Sequence, residues 1–161
     1  MTIRPATLPD DGDVVWAILE PTFRAGDTYG VARDMTREQA LAWWFAPGNA
    51  VFLHEDGGTY YVRANYSGGG SHVANCGYVT APTAQGRGIA RAMCEHSLEE
   101  ARRRGFRAMQ FNFVVSTNDR AVRLWESLGF AIVGRLPGAF VHPIQGEVDV
   151  LVMFQRLAPA T

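Results

Sequence analysis

The chain has 161 residues, of which 47% are hydrophobic and 19% charged, with a formal net charge of −1. That length suits one domain over residues 1–161. The near-zero charge removes the general electrostatic case for nucleic acid or an anionic membrane surface, no apolar run is long enough to span a bilayer, and Cys76 and Cys94 offer neither metal-ligand spacing nor a disulfide framework. The expectation is a reduced, cytoplasmic protein without a metal, because "MTIRPATLPDDGD" has no apolar signal core.

In chain order, "TIRPAT" reads as a short opening strand. "LPDDGDVVWAILEPTFRAG" is a helix with Val15, Leu19 and Phe23 on one face, preceded by acidic residues that suit a helix N-terminus. "GDTYG", Gly26 to Gly30, is a loop. "MTREQALAWWFAP" is a second helix, with Thr36 as its cap and an end before Pro47. Two strands follow, "AVFLHE" and "GTYYVRANY", with a turn around Asp56-Gly57-Gly58. "SGGGS", Ser67 to Ser71, is a loose hairpin connection to a third strand, "HVANCGYVTA".

Gly86 to Arg104 reads as a long helix with Ala90, Cys94, Leu98 and Ala101 as its inner stripe and Gly105 as its stop. "RAMQFNFVV" alternates cleanly. Met109, Phe111, Phe113 and Val115 face one way; Ala108, Gln110, Asn112 and Val114 face the other. Asn118 caps a helix to Leu128, ended by Gly129, and "FAIVGRL" and "EVDVLVMFQRL" close the chain as strands. The order β-α-α-β-β-β-α-β-α-β-β predicts a layered α/β domain: a mixed sheet of about seven strands flanked by about four helices, its ligand crevice in the middle of the order.

"QGRGIA", Gln85 to Ala90, places two glycines between a strand end and a helix start. A helix start carries unsatisfied N–H groups, and glycines let a phosphate approach them closely. The loop lacks the Gly-Lys-Ser/Thr of a P-loop and the third glycine of a dinucleotide fingerprint, where Arg91 stands. Taken alone, it serves equally as a plain strand-to-helix turn.

Two stretches together resemble the GNAT superfamily of N-acetyltransferases. The first is the acetyl-CoA loop Gln/Arg-x-x-Gly-x-Gly/Ala, here Gln85, Gly88 and Ala90. The second is "NDRAVRLWESLGF", Asn118 to Phe130, one strand further on. The resemblance implies a mainly antiparallel central sheet and acetyl-CoA as cosubstrate. The pyrophosphate would sit on the backbone of Gly86, Arg87, Gly88, Ile89 and Ala90. The pantetheine arm would run along Tyr78, Val79, Thr80 and Ala81 as an added strand. Asn118 would hold the cofactor amide or the reacting region, and it is a good helix cap in any case. Trp125 stands where many relatives carry a tyrosine acid; indole N–H donates a hydrogen bond but is no useful acid at neutral pH. A homodimer is a family-level expectation.

Asn75, Asn112 and Asn118, with "GDTYG" and the "LWESLGF" variant, further resemble the azetidine-2-carboxylate (proline-analogue) N-acetyltransferase branch. That branch implies Asn75 and Asn112 as substrate residues, Asn112 and Asn118 at the reacting centre, and Tyr29 and Trp125 beside the acceptor. The bland reading of each asparagine is that it satisfies neighbouring backbone. No carboxylate base stands out. His54, His72 and His96 read as structural, and His142 falls in the last inter-strand loop bordering the acceptor pocket. Cys76 as an acyl nucleophile lacks a His/Asp partner. The expectation is an acetyl-CoA-dependent N-acetyltransferase acting directly on a small amine such as an amino or imino acid. A protein or peptide amine acetyltransferase and a non-catalytic acetyl-CoA sensor are the alternatives.

Overall fold

The structure is a computed structural model and describes residues 2–159. Seven strands, β1 (Ile3–Pro5), β2 (Ala50–His54), β3 (Gly58–Ala64), β4 (Val73–Thr80), β5 (Ala108–Val115), β6 (Ala131–His142) and β7 (Gly146–Arg156), form one sheet in the order β1-β2-β3-β4-β5-β7-β6. Every pairing is antiparallel except β4 with β5. Four helices pack on it: α1 (Gly12–Ala25), α2 (Arg37–Trp44), α3 (Ile89–Arg103) and α4 (Asp119–Ser127).

The sheet is covered on both faces, so its inner strands read as continuous apolar runs. Neighbours along a strand enter opposite cores. Phe52, Tyr60, Cys76 and Met109 pack with Met93, Cys94 and Trp125 of α3 and α4. Leu53, Tyr61 and Val79 pack with Val15, Leu19, Phe23 and Trp44 of α1 and α2. Each large apolar side chain so buried contributes about 1.5–3 kcal/mol. A buried polar step in the second core is satisfied: Trp44 Nε1 donates to Thr59 Oγ1 at 3.1 Å, and Thr59 Oγ1 donates to the Phe52 carbonyl at 2.8 Å.

Local chemistry sets the helix ends. Gly26 closes α1 in the left-handed region, φ 66°, and its N–H reaches the Thr22 carbonyl. Thr36 and Gln39 form a reciprocal capping box at the start of α2.

Three expectations are corrected. The third helix begins at Ile89, not Gly86, because Gly86 and Gly88 both adopt φ 77°, outside helical space. Its buried stripe is Ile89, Met93, Cys94, Ser97, Leu98 and Ala101, leaving Ala90 only partly covered.

The alternation of β5 breaks as well. Phe111 pairs with Met153 but Val114 with Leu151, so one extra residue bulges out between them. Val114 thereby joins the face of Met109 and Phe111, Val115 turns to Phe140 and Val150, and Phe113 is left 42% exposed.

The sixth strand runs to His142 rather than ending at Leu136. Pro137 and Gly138 form an irregularity in an edge strand, where a missing N–H is tolerated. Asp149 fixes it by accepting from Gly138 N at 3.0 Å and Arg135 Nη1 at 2.7 Å.

Candidate functional site

The site follows from how briefly β4 and β5 stay together. They pair in parallel only at Val73 with Ala108 and Ala74 with Met109, and then they separate. At the crotch, Asn75 Nδ2 donates to the Gln110 carbonyl at 3.0 Å, a side chain standing in for the next ladder bond. Beyond it, one edge of β4 is bare. Asn65 N–H bonds to Val73 O and Ala81 N–H to Gly57 O, so the odd-numbered residues of β4 spend their peptide groups on β3. The N–H and C=O groups of Cys76, Tyr78 and Thr80 therefore point into the fork.

A cavity of about 370 Å³ fills this fork. It gathers Asn75, Tyr78, Val79 and Thr80 from β4, and Phe111 to Val115 from β5. Gln85 and Ala90 of the glycine loop reach it, as do Asn118, Ala121 and Trp125 around α4. Thr22, Thr28, Tyr29, Gly30 and Val31 close it from the α1–α2 side. Two motifs some thirty residues apart in sequence thus meet at one opening.

The glycine loop leaves the start of α3 open. Gly88 caps α3 without any side-chain hydrogen bond to the first turn, so the opening N–H groups lack a capping partner. A Cβ at Gly86 or Gly88 would meet nothing within 4 Å; glycine is required there by φ, and the space before the loop is open. Open backbone N–H groups at the positive end of a helix suit phosphate. Arg87 lies 3.9 Å from Asp56, and Arg91 donates to Ser127 Oγ at 2.9 Å, so both guanidiniums flank the loop. Of the residues expected at the cofactor, Ala81, Gly86, Arg87, Gly88 and Ile89 do not line the cavity. Ile89 is buried in the α3 core and offers only its backbone; Ala81 leads into the 3₁₀ turn Pro82–Ala84.

On β4, Tyr78 presents its backbone to the fork while its ring is buried under α3, the hydroxyl 2.6 Å from Ser97 Oγ. The Tyr78 carbonyl accepts from the Tyr29 hydroxyl at 2.9 Å. Burial raises the Tyr29 phenol well above its ordinary value, so it is a neutral donor. Trp125, 8% exposed, packs at a tilt on Tyr78 and edge-to-face on Phe111, with centroids 5.1 and 5.2 Å away. It is a core aromatic and a cavity wall at once.

The asparagines differ in their engagements. Asn118 Oδ1 accepts from Ala121 N at 3.4 Å as the α4 cap, leaving Nδ2 for a ligand. Asn75 accepts on Oδ1 from Arg63 Nε at 3.3 Å. Asn112 exchanges two hydrogen bonds with Asn65, at 2.7 and 3.1 Å, and accepts from Gln110 Nε2 at 3.0 Å. A side-chain amide carries two N–H donors. Asn75 and Asn112 each spend one, so each keeps one.

Asn65 and Arg63, which bond to the cavity-lining Asn112 and Asn75, drew no notice in the sequence. Both read as ordinary strand-end polar residues, and only the β3–β4–β5 order brings them beside Asn75 and Asn112. Phe113 was expected to share a face with Met109 and Phe111; the bulge turns it the other way, into the cavity, where its ring lies close to Gly30.

No His, Asp or Glu lines the cavity among the described residues. His142 is corrected: it ends β6, and its Nδ1 accepts from Ile144 and Gln145 N–H at the hairpin tip. His96 pairs with the Tyr60 hydroxyl at 2.6 Å, away from the fork, and burial lowers its pKa. His54 is buried, and its Nδ1 accepts from Asp56 N. Cys76 borders the cavity, but burial pushes its thiol up to about 12, unlike an activated nucleophile. Among the described residues, no group of three or more His, Cys, Asp or Glu gathers to hold a metal, and no helix is long and apolar enough to cross a membrane.

Comparison with known proteins places this architecture. Residues 14–130 match the model of the acetyltransferase (GNAT) family. The N-acetyltransferase aca1 of Schizosaccharomyces pombe is 38% identical over 148 residues, covering 79% of this chain and 71% of that protein. A GCN5-related N-acetyltransferase from Kribbella flavida superposes with a TM-score of 0.89 at 37% identity, over 97% of each chain. The structure of yncA, a putative acetyltransferase from Salmonella typhimurium with its cofactor acetyl-CoA, gives a TM-score of 0.84 at 25% identity, over 100% of this chain and 96% of that one.

Proposed function

This chain belongs to the acetyltransferase (GNAT) family, and from that premise we propose that it moves the acetyl group of acetyl-CoA directly to the amine of a small molecule, an amino or imino acid such as a proline analogue. The carrying observation is the fork: a bare β4 edge, an uncapped glycine loop and an amide-lined acceptor side share one cavity.

Each part has a task. The N–H groups of Gly86 to Ala90 take the pyrophosphate. The N–H and C=O groups of Cys76, Tyr78 and Thr80 take the pantetheine amides as an added strand. Asn118 Nδ2 steadies the cofactor near the thioester. The acceptor nitrogen enters from the side of Tyr29 and Asn112, loses its proton to water and attacks the thioester carbon. A tetrahedral intermediate forms, gives up the second nitrogen proton to water and collapses; the C–S bond breaks, the C–N bond remains, and the CoA thiolate takes up a proton from water. Its pKa of roughly 8.5, judged from cysteine, makes it a tolerable leaving group without a tyrosine acid. Holding amine and thioester together supplies much of the acceleration.

A small acceptor is supported over a peptide by the modest cavity and its cover of Tyr29, Gly30 and Phe113. The wall also lacks any carboxylate to attract a polycation. The absence of a titratable base favours a second reading, a sensor that binds acetyl-CoA without turnover. Incubating the protein with acetyl-CoA and azetidine-2-carboxylate, α-amino acids, polyamines or short peptides, and identifying acetylated products by mass spectrometry, separates these. Acetylated amino or imino acid supports the proposal; tight cofactor binding with no product from any amine supports the sensor.

A further inference from the structure

We propose that Arg63 is the residue that recognises the acceptor, by pairing with a carboxylate next to the reacting amine. This rests on the acetyl-transfer reading above for the identity of the cavity.

Arg63 sits on β3 directly across from Asn75 of β4. Its Nε donates to Asn75 Oδ1 at 3.3 Å, and its guanidinium carbon lies 5.7 Å from the centre of the Tyr61 ring. Both partners line the cavity. One edge of the guanidinium is thus spent on holding its plane over an aromatic face, and its two terminal amino groups remain. The residue is exposed, so a ligand can reach it.

The charge balance is the second observation. Nine arginines make ion pairs with carboxylates in this structure, and Arg63 is not among them within the described residues. The side chains sharing its face are amides: Asn65, Asn75, Gln110 and Asn112. The cavity wall beside it holds no Asp or Glu. A fixed cation therefore stands, without a counter-ion, at the acceptor side of a neutral cavity. The neutral amides can orient a carboxylate but cannot offset its charge; a guanidinium does both. In an α-amino or imino acid the nitrogen is one carbon from the carboxylate, so an anion anchored at Arg63, with the spare N–H groups of Asn75 and Asn112, leaves the nitrogen close to the fork.

The test compares azetidine-2-carboxylate, proline and primary α-amino acids with their carboxamides, in wild type, Arg63→Lys and Arg63→Met. Binding is measured by calorimetry on the CoA-saturated protein, and transfer by initial rates with acetyl-CoA. The expected result is a wild-type preference for the free acids. Arg63→Met then raises Kd and KM for the acids about 10-fold or more, the loss typical of a charge-assisted hydrogen bond, with little change in kcat. The carboxamides move far less, and Arg63→Lys falls between. Equal losses for acid and carboxamide would reduce Arg63 to an orienting group for Asn75 and overturn the proposal. So would acetylation of amines with no acid preference, which leaves acetyl transfer intact. Arg63-dependent acid binding without turnover would uphold Arg63 and sink the enzymatic reading. Neither binding nor transfer of any acid overturns it too.

Discussion

The Tyr29 hydroxyl donates to the Tyr78 carbonyl across 2.9 Å, tying the loop between α1 and α2 to the bare edge of β4. The bond joins the acceptor side of the cavity to the strand proposed to hold pantetheine. Tyr29→Phe keeps the ring packing against Phe23 and Trp44 and removes only this link. Stability measured by urea unfolding is expected to fall by about 1 kcal/mol. Acetyl-CoA affinity should not fall, because a carbonyl has two lone pairs and the one proposed for the cofactor is not the one Tyr29 occupies; a marked loss of affinity would mean that the loop itself builds the cofactor site.

Gly88 has φ 77° and open space where a side chain would project. Gly88→Ala is expected to cost about 1–2 kcal/mol in backbone strain and to place a methyl group where the pyrophosphate would lie. Calorimetry should show acetyl-CoA affinity reduced about 10-fold or more, with the fold retained by circular dichroism. Unchanged affinity would remove the phosphate role from the loop.

Trp125 packs at a tilt on Tyr78 and edge-to-face on Phe111. Trp125→Ala should destabilise by about 3–5 kcal/mol through the cavity it leaves. Trp125→Phe preserves most of the packing and removes the indole N–H. Its kcat is expected within about 10-fold of wild type, the range below that of a general acid. A much larger loss with an intact cofactor Kd would give the indole N–H a direct part in the chemistry.

Cys76 and Cys94 are buried, and burial pushes both thiols up to about 12. At pH 8 neither is a thiolate in the native protein, so thiol-reactive reagents should label them only on unfolding. Cys76→Ala should retain transfer, and no acetylated protein should accumulate in single-turnover mass spectrometry. An acetyl group trapped on Cys76 would contradict direct transfer.

Asp11 is held below the usual carboxylate range, first by its hydrogen bonds from Arg4 and then by the Thr7 N–H. A depressed carboxylate stabilises the fold above its unfolded pKa of about 4 and loses that contribution as pH falls through its lower folded value. Wild-type unfolding midpoints should therefore decline on acidification below pH about 4 more steeply than those of Asp11→Asn.

The element order was legible because each helix carries its own stop or cap: Gly26, Thr36, Gly105, Asn118 and Gly129 all sit where the chain turns. The glycine loop proposed to hold the cofactor was legible for a related reason. Gln85 to Ala90 is local, and a local motif survives being read one residue after another. The acceptor side was not. Strand order sets Arg63 and Asn65 behind the cavity-lining Asn75 and Asn112, and a one-residue bulge brings Phe113 to the cavity; neither leaves a mark in periodicity. The same bulge undid the clean alternation expected for β5, since one extra residue exchanges the faces of everything after it. His142 failed similarly: the apparent loop around Pro137 and Gly138 is an irregular edge strand that carries it to a hairpin tip.

The central claim is that the β4–β5 fork presents acetyl-CoA to a small amine that carries a carboxylate. The most direct measurement is the initial rate of thiol release from acetyl-CoA by the purified protein across the acceptor panel, repeated with Asn112→Ala. The account predicts saturable release with azetidine-2-carboxylate or another amino or imino acid, reduced severalfold or more in Asn112→Ala while acetyl-CoA binding persists. Release only with peptides or polyamines, or release with amino acids that Asn112→Ala leaves untouched, would contradict it.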